Sequence, residues 1–133
     1  NCTFINDSKA TSFQATKLAL QNSTNIFWIV GGLPKKDDKI DFRNLRKNII
    51  KSYIIGNHIN FFKNQLKDKL NYCVCKNIKN TIVQILKDIK FLKKKKNTIL
   101  LSPAAASFDQ YPNFEKRGEE FKRLSKLYAR KFL

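Results

Sequence analysis

The sequence predicts an α/β fold, a three-layer Rossmann-like domain with a mostly parallel sheet flanked by helices, and three observations predict it. Strand-like and helix-like segments alternate from one end of the chain to the other. The run Ile26-Phe27-Trp28-Ile29-Val30 is apolar at every position, as in a strand covered on both faces. From Ile78 onward, Ile78, Ile82, Ile85, Leu86 and Ile89 fall at i, i+4, i+7, i+8 and i+11, one apolar stripe at the helical period. Strands that alternate with helices are joined by right-handed crossovers, which keep the sheet parallel and place helices on both faces.

The elements follow in order. Residues 3–5 form a short apolar strand. Asp7-Ser8 is expected to cap a helix over residues 9–20, in which Phe13, Thr16 and Leu20 share a face. The strand of residues 26–30 is closed by Gly31-Gly32. Residues 42–49 read as a short helix, 52–55 as a third strand stopped at Gly56, and 58–68 as another helix. A short strand at 72–75 precedes the striped helix, and 98–101 is a fifth strand ending at Ser102-Pro103. The last helix begins near Phe114 and carries Phe121, Leu124, Tyr128 and Phe132 on one face. Glu119 and Glu120 in its early turns, with Arg130 and Lys131 near its end, suit the helix dipole.

The 133 residues fit a single domain, and 42% hydrophobic residues are enough for a real core. The wholly apolar runs are too short to span a membrane, and no signal peptide precedes the first strand. A start at Asn1 that leads almost directly into a strand reads as a cut through a larger protein. The net charge of +17 would suit a polyanion partner. However, 22 lysines stand against 5 arginines, and arginine is the residue that reads phosphate and guanine bidentately. With Asn and Ile also abundant, AT-rich coding bias accounts for the lysines and no specific nucleic-acid partner is expected. Cys2, Cys73 and Cys75 are an odd set, a poor disulfide framework suited to a reducing compartment. Cys73 and Cys75 share one strand face and are expected to pack there. A metal site would need more ligands than these and His58, the only histidine.

In open α/β sheets, ligands bind beyond the carboxyl ends of the strands. Three polar or glycine-rich segments follow strand ends here. In the first, Asn6-Asp7-Ser8-Lys9, backbone N–H groups at a helix start would attract an anion, with Lys9 adding charge and Thr11 a hydroxyl. An ordinary Asp/Ser cap with a solvated lysine fits the same residues. In the second, Gly31-Gly32 permits a tight turn, and Lys35 could aim an ammonium at a carboxylate or phosphate, though Lys36 and Lys39 lie nearby. The G-x-x-x-x-G-K-[ST] phosphate loop is absent from the chain. The third, residues 102–113, is long and rich in small residues, as functional loops often are. Without G-x-S-x-G, and without a histidine in a comparable loop, it is not a serine hydrolase site.

Asn6-Asp7-Ser8-Lys9-Ala10-Thr11, Gly31-Gly32-x-x-Lys35, and Leu101-Ser102-Pro103-Ala104-Ala105-Ala106-Ser107-Phe108-Asp109-Gln110 with Asn113-Phe114-Glu115-x-Arg117-Gly118-x-x-Phe121 resemble the C-terminal domain of the Mur ligase family. The last block is that of the member that adds D-glutamate. Ser12, Ala105 and Tyr111 stand where the family often has Asn, Cys and Phe, and none of these departures removes a charge or hydroxyl from the site. The resemblance implies an ATP-dependent, cytoplasmic, monomeric ligase of peptidoglycan synthesis, of which this chain is one amino-acid-binding domain, residues 1–133. It implies that UDP-N-acetylmuramoyl-L-alanine is activated as an acyl phosphate and attacked by the amine of D-glutamate. ATP and Mg2+ would be bound mainly by a central domain outside this chain. Lys35 and Thr11 would hold one D-glutamate carboxylate, Ser107 and the backbone N–H of Phe114 the other, and Asp7 and Lys9 would face the nucleotide and the transferring phosphate. No metal ligand and no catalytic group is expected within the chain, which alone is expected to be inactive.

Overall fold

Every residue of β2, Ile26–Gly31, is buried, and this strand is the middle of the sheet. The computed structural model describes residues 1–132. Around β2 the chain lays down β1 (Cys2–Asn6), α1 (Phe13–Gln21), a 3₁₀ turn (Arg46–Asn48), β3 (Ile49–Ile55) and α2 (Ile59–Leu66). There follow β4 (Tyr72–Lys76), α3 (Ile78–Leu92), β5 (Asn97–Leu101) and α4 (Phe114–Phe132). The strand order is β1-β5-β2-β3-β4, and every pairing is parallel.

Because side chains alternate along a strand, β2 feeds two cores. Ile26, Trp28 and Val30 pack with Phe13 and Leu20 of α1 and with Phe62 and Leu66 of α2. Phe27 and Ile29 pack with the stripe of α3 and with Phe121 and Leu124 of α4. Three layers result. β1 through β4 advance across the sheet with their connections on the α1–α2 face, and α3 carries the chain back across the other face to insert β5 between β1 and β2. A reversal of direction demands a change of face if crossovers keep one hand. The loops after β1 and β2 therefore leave towards one face, while the chain after β5 leaves towards the other. β5 sits between two such switch points, where α/β sheets open a crevice at their carboxyl ends.

Two expected elements differ. The first helix starts at Phe13, not near Lys9, and its N-cap is Ser12, whose Oγ accepts the Ala15 N–H at 3.2 Å. Asp7 and Ser8 do not cap it because distant partners take them: Ser102 Oγ donates to the Asp7 carboxylate at 2.7 Å, and Ser8 Oγ donates to Phe114 O at 2.7 Å. Residues 42–49 are not a helix. Asn44 adopts φ +67°, which breaks helical geometry, while Phe42 and Leu45 are pinned in the core. Only the 3₁₀ turn survives, and β-branched Ile49 and Ile50 extend β3 three residues earlier than expected.

Candidate functional site at the carboxyl end of the sheet

The loops after β1, β2 and β5 are tied to one another by backbone and buried side-chain bonds. Asp7 N–H donates to Leu101 O at 2.7 Å, and Gly31 N–H to Pro103 O at 2.9 Å. Leu33 and Ala106 exchange hydrogen bonds of 2.8 and 3.0 Å as an isolated antiparallel bridge. Gly32 makes that approach possible: its φ is +134°, and a Cβ there would lie 2.4 Å from Ala106 O. Beneath the loops, Ser102 O accepts the Trp28 indole N–H at 2.7 Å, while Ser102 Oγ bridges Asp7 and Thr16.

Arg117, in the first turns of α4, is 1% exposed. Its Nε donates to Ser8 Oγ at 2.9 Å and its two terminal nitrogens to Ser8 O at 2.6 Å and Ala105 O at 3.0 Å. One guanidinium fork thus joins α4 to the loops after β1 and β5. Burial draws its pKa down to about 10, with Asp109 and Tyr111 opposing, so it stays charged at neutral pH. Sequence reasoning quoted Arg117 within the last motif block but gave it no role. Its signal was an arginine placed directly before Gly118, whose missing Cβ lets α4 lie against Asn6 and Ser8.

Each residue singled out from the sequence follows a strand's carboxyl end, so all six lie at one end of the sheet. Asp7 is half-buried, with one carboxylate oxygen held by Ser102. Lys9 and Lys35 are exposed, and among the described residues neither is in an ion pair. Thr11 is half-buried just before the Ser12 cap, not inside the helix as expected. Lys35 opens a turn closed by Asp38 N–H on Lys35 O at 3.1 Å, and the Asp38 carboxylate accepts the Phe13 N–H at 3.0 Å. That contact brings the Lys35 turn to the start of α1, two residues from Thr11. Ser107 is 2% exposed, one residue beyond the Leu33–Ala106 bridge. Phe114 is the first residue of α4, where helical N–H groups have no intrahelical acceptor. Asn113 Oδ1 accepts the Lys116 N–H at 2.8 Å, and the Phe114 carbonyl is taken by Ser8. A cavity of about 370 Å3 is lined by Lys9, Phe114, Ser8 and Gly118 among others, and it does not reach Lys35, Thr11 or Ser107. On its other flank the 102–113 loop is held by Asp109, whose carboxylate accepts the Asn57 N–H at 2.9 Å, and by Gln110, which donates to Lys76 O at 2.8 Å. Tyr111 is half-buried, and burial, reinforced by Glu120, pushes its hydroxyl pKa up to about 12.

Fold and loops together define a Rossmann-like α/β domain whose exposed cations and helix-start donors gather at the switch points beside β5. Its sequence is similar to that of UDP-N-acetylmuramoylalanine–D-glutamate ligases, of which it matches a C-terminal fragment. The ligase of Wolbachia sp. subsp. Brugia malayi is 40% identical over 93% of this chain and 25% of its own length. That of Nitrobacter hamburgensis is 37% identical over 93% and 27%, and that of Agrobacterium fabrum 39% over 91% and 26%. The chain thus spans about a quarter of the length of these relatives. No family model matches it. Among the described residues, no helix is long and apolar enough to cross a membrane.

Proposed function

We propose that this chain is the amino-acid-binding domain, residues 1–133, of a longer ATP-dependent ligase that joins D-glutamate to UDP-N-acetylmuramoyl-L-alanine in peptidoglycan synthesis. The observation that carries the reading is the gathering of Lys35, Thr11, Ser107 and the Phe114 N–H at one end of the sheet, in a chain 37–40% identical to ligases of that name. D-Glutamate presents two carboxylates and an amine. A cation and fixed donors suit the carboxylates, and holding them orients the amine for attack, which can contribute several kcal/mol to rate. Lys35 and Thr11 take one carboxylate; Ser107 and the Phe114 N–H take the other.

Asp7 and Lys9 face the nucleotide and the transferring phosphate, and the shared wall of Lys9 and Phe114 in one cavity supports a join between phosphate and amino-acid subsites. The alanyl carboxylate is activated by ATP as an acyl phosphate; the D-glutamate nitrogen forms the new C–N bond, and phosphate leaves with the C–O pair. The chain carries no phosphate loop, so the triphosphate and Mg2+ are assigned to the rest of the longer protein. By itself this domain has no ligase activity. The longer enzyme acts as a cytoplasmic monomer.

The test is steady-state kinetics of the full-length enzyme with each substrate varied separately. Lys35→Ala removes a charge-assisted contact of about 1.5–3 kcal/mol. At about 1.4 kcal/mol per decade, kcat/KM for D-glutamate falls at least roughly tenfold, while the nucleotide-sugar KM hardly changes. Thr11→Val and Ser107→Ala, which lose neutral-donor bonds, cost less individually. Intact D-glutamate parameters with weakened ATP would make Lys35 a phosphate ligand and overturn the assignment.

A further inference from the structure

Two thiols that the proposed site does not use lie together on an edge strand, packed against the α3 face of the core. β4 ends the sheet opposite β1; Cys73 is half-buried, Cys75 is buried, and their Sγ atoms are 3.6 Å apart. Two residues along a regular strand advance about 6.4–6.8 Å, the upper limit of the roughly 4.4–6.8 Å Cα separation that a disulfide tolerates. β4 is irregular at this point. Ile54 pairs with Val74 but Ile55 pairs with Lys76, which leaves Cys75 as the extra residue of a bulge. Lys76 has φ +70°, and the Asn77 N–H turns back to Cys75 O at 2.9 Å. A bulge bends its strand, and here it accompanies two sulfurs already in van der Waals contact.

We propose that Cys73 and Cys75 are a modification site, oxidised by a small-molecule disulfide to a reversible intrachain disulfide whose closure loosens residues 107–111. The more exposed Cys73 thiolate attacks the oxidant RSSR, forming a mixed disulfide and releasing RS−. Deprotonated Cys75 then attacks Cys73 Sγ and expels the second RS−. Two cysteine thiols and RSSR become one protein disulfide and two RSH, which carry off both electrons and both protons. Burial first, and then the neighbouring Cys73, hold the Cys75 thiol up at about 12, which makes Cys75 the slower, resolving partner.

The coupling to the loop is direct. The carbonyl of Lys76, next to the bulge, accepts the Gly56 N–H at 2.9 Å and the Gln110 side chain at 2.8 Å. Gln110 and Tyr111 N–H groups in turn hold Ser107 O at 2.9 and 2.8 Å. Drawing the sulfurs from 3.6 Å to a bond of about 2.05 Å contracts the bulge and shifts the Lys76 carbonyl away from Gln110.

The inference does not rest on the ligase reading, and its readouts do not use activity. The full-length protein is treated with glutathione disulfide, quenched in acid, alkylated and digested, and the peptide carrying residues 73 and 75 is weighed. The expected result is loss of two hydrogens from that peptide, reversed by dithiothreitol and absent in Cys73→Ser and Cys75→Ser. Amide exchange at residues 110 and 111 should rise several-fold in the oxidised protein. A lasting glutathione adduct on Cys73 with Cys75 still free, or a disulfide that leaves exchange at 110 and 111 unchanged, overturns the proposal.

Discussion

Removing the Arg117 guanidinium tests whether this buried cation organises the loops or merely occupies space among them. Its three hydrogen bonds, at 2.9, 2.6 and 3.0 Å, are charge-assisted, and bonds of that kind contribute about 1.5–3 kcal/mol each, a gross of roughly 4.5–9 kcal/mol. Against this stands the cost of burying the charge. A fall from 12.5 to about 10 corresponds to roughly 3 kcal/mol, at about 1.4 kcal/mol per tenfold change. The bonds win by about 1.5–6 kcal/mol. Arg117→Met keeps the volume of the stem but orphans Ser8 O and Ala105 O, so it should destabilise by about that amount. In a domain of this size each kcal/mol moves Tm by roughly 3–5 °C, so the midpoint should fall by about 5–30 °C. Arg117→Lys should recover only part of the loss, because one ammonium cannot span Ser8 and Ala105 as a planar fork does. Urea unfolding followed by circular dichroism measures both variants. Buried ion pairs can be replaced by apolar side chains at no cost, and an Arg117→Met variant as stable as wild type would show that desolvation wins here and refute the organising role.

Asp88 accepts from Tyr53 at 2.7 Å, Lys51 at 3.0 Å and Gln84 at 3.0 Å. Asp88→Ala should cost about 1–3 kcal/mol by orphaning the buried Tyr53 hydroxyl, and adding Tyr53→Phe should cost little more; additive losses in the double variant would refute the coupling. Partial burial would by itself raise the Asp88 pKa, but those three bonds hold it below the usual value. Its contribution is therefore complete above the unfolded carboxyl pKa of about 4 and is lost as pH falls through the lower folded value. The stability gap between wild type and Asp88→Asn should narrow in melts below that pH. Gly32→Ala forces a Cβ against Ala106 O at a positive φ and should destabilise by about 2–5 kcal/mol; an unchanged melting point would mean that the Leu33–Ala106 bridge is slack. Duplex DNA should bind weakly, without sequence preference, and release as salt rises; salt-resistant, selective binding in a filter or anisotropy assay would revive a nucleic-acid role for the lysines.

What the sequence revealed was periodicity. The β2 run, the α3 stripe and the Phe13, Thr16 and Leu20 face are all buried as their spacing requires, because burial of a repeating face is a local property of the chain. What it hid was competition from afar. Asp7 and Ser8 look like a helix cap, and only Ser102, Phe114 and Arg117, 95 to 109 residues away, explain why they are not one. Phe42 to Ile49 has helical spacing, yet the core claims Phe42 and Leu45 while β2 claims Ile49. That three strand ends share one end of the sheet could be inferred from parallel pairing alone. That β5 lies between β1 and β2, so that its loop meets both of theirs, is a matter of strand order, which no local pattern encodes.

The hydrogen bonds also divide the polar residues of this crevice into two kinds. Ser8, Ser102, Thr16 and Arg117 are buried, and their polar atoms are spent on one another, on the Asp7 carboxylate or on backbone carbonyls. A buried group so engaged has little left to offer a ligand, and its removal is felt as lost stability. Lys9 and Lys35 are exposed cations with no ion pair among the described residues, and the Phe114 N–H is a helix-start donor. Groups of this second kind cost the fold nothing when a ligand takes them, and substituting them should alter binding while leaving the melting point nearly unchanged. Asp7 belongs to both kinds, since Ser102 holds one of its carboxylate oxygens and the residue remains half-open. Asp7→Asn should therefore move both observables, a modest loss of stability accompanying whatever change in ligand binding it brings. A Lys35→Ala variant that lost stability while Arg117→Met lost only binding would invert this division.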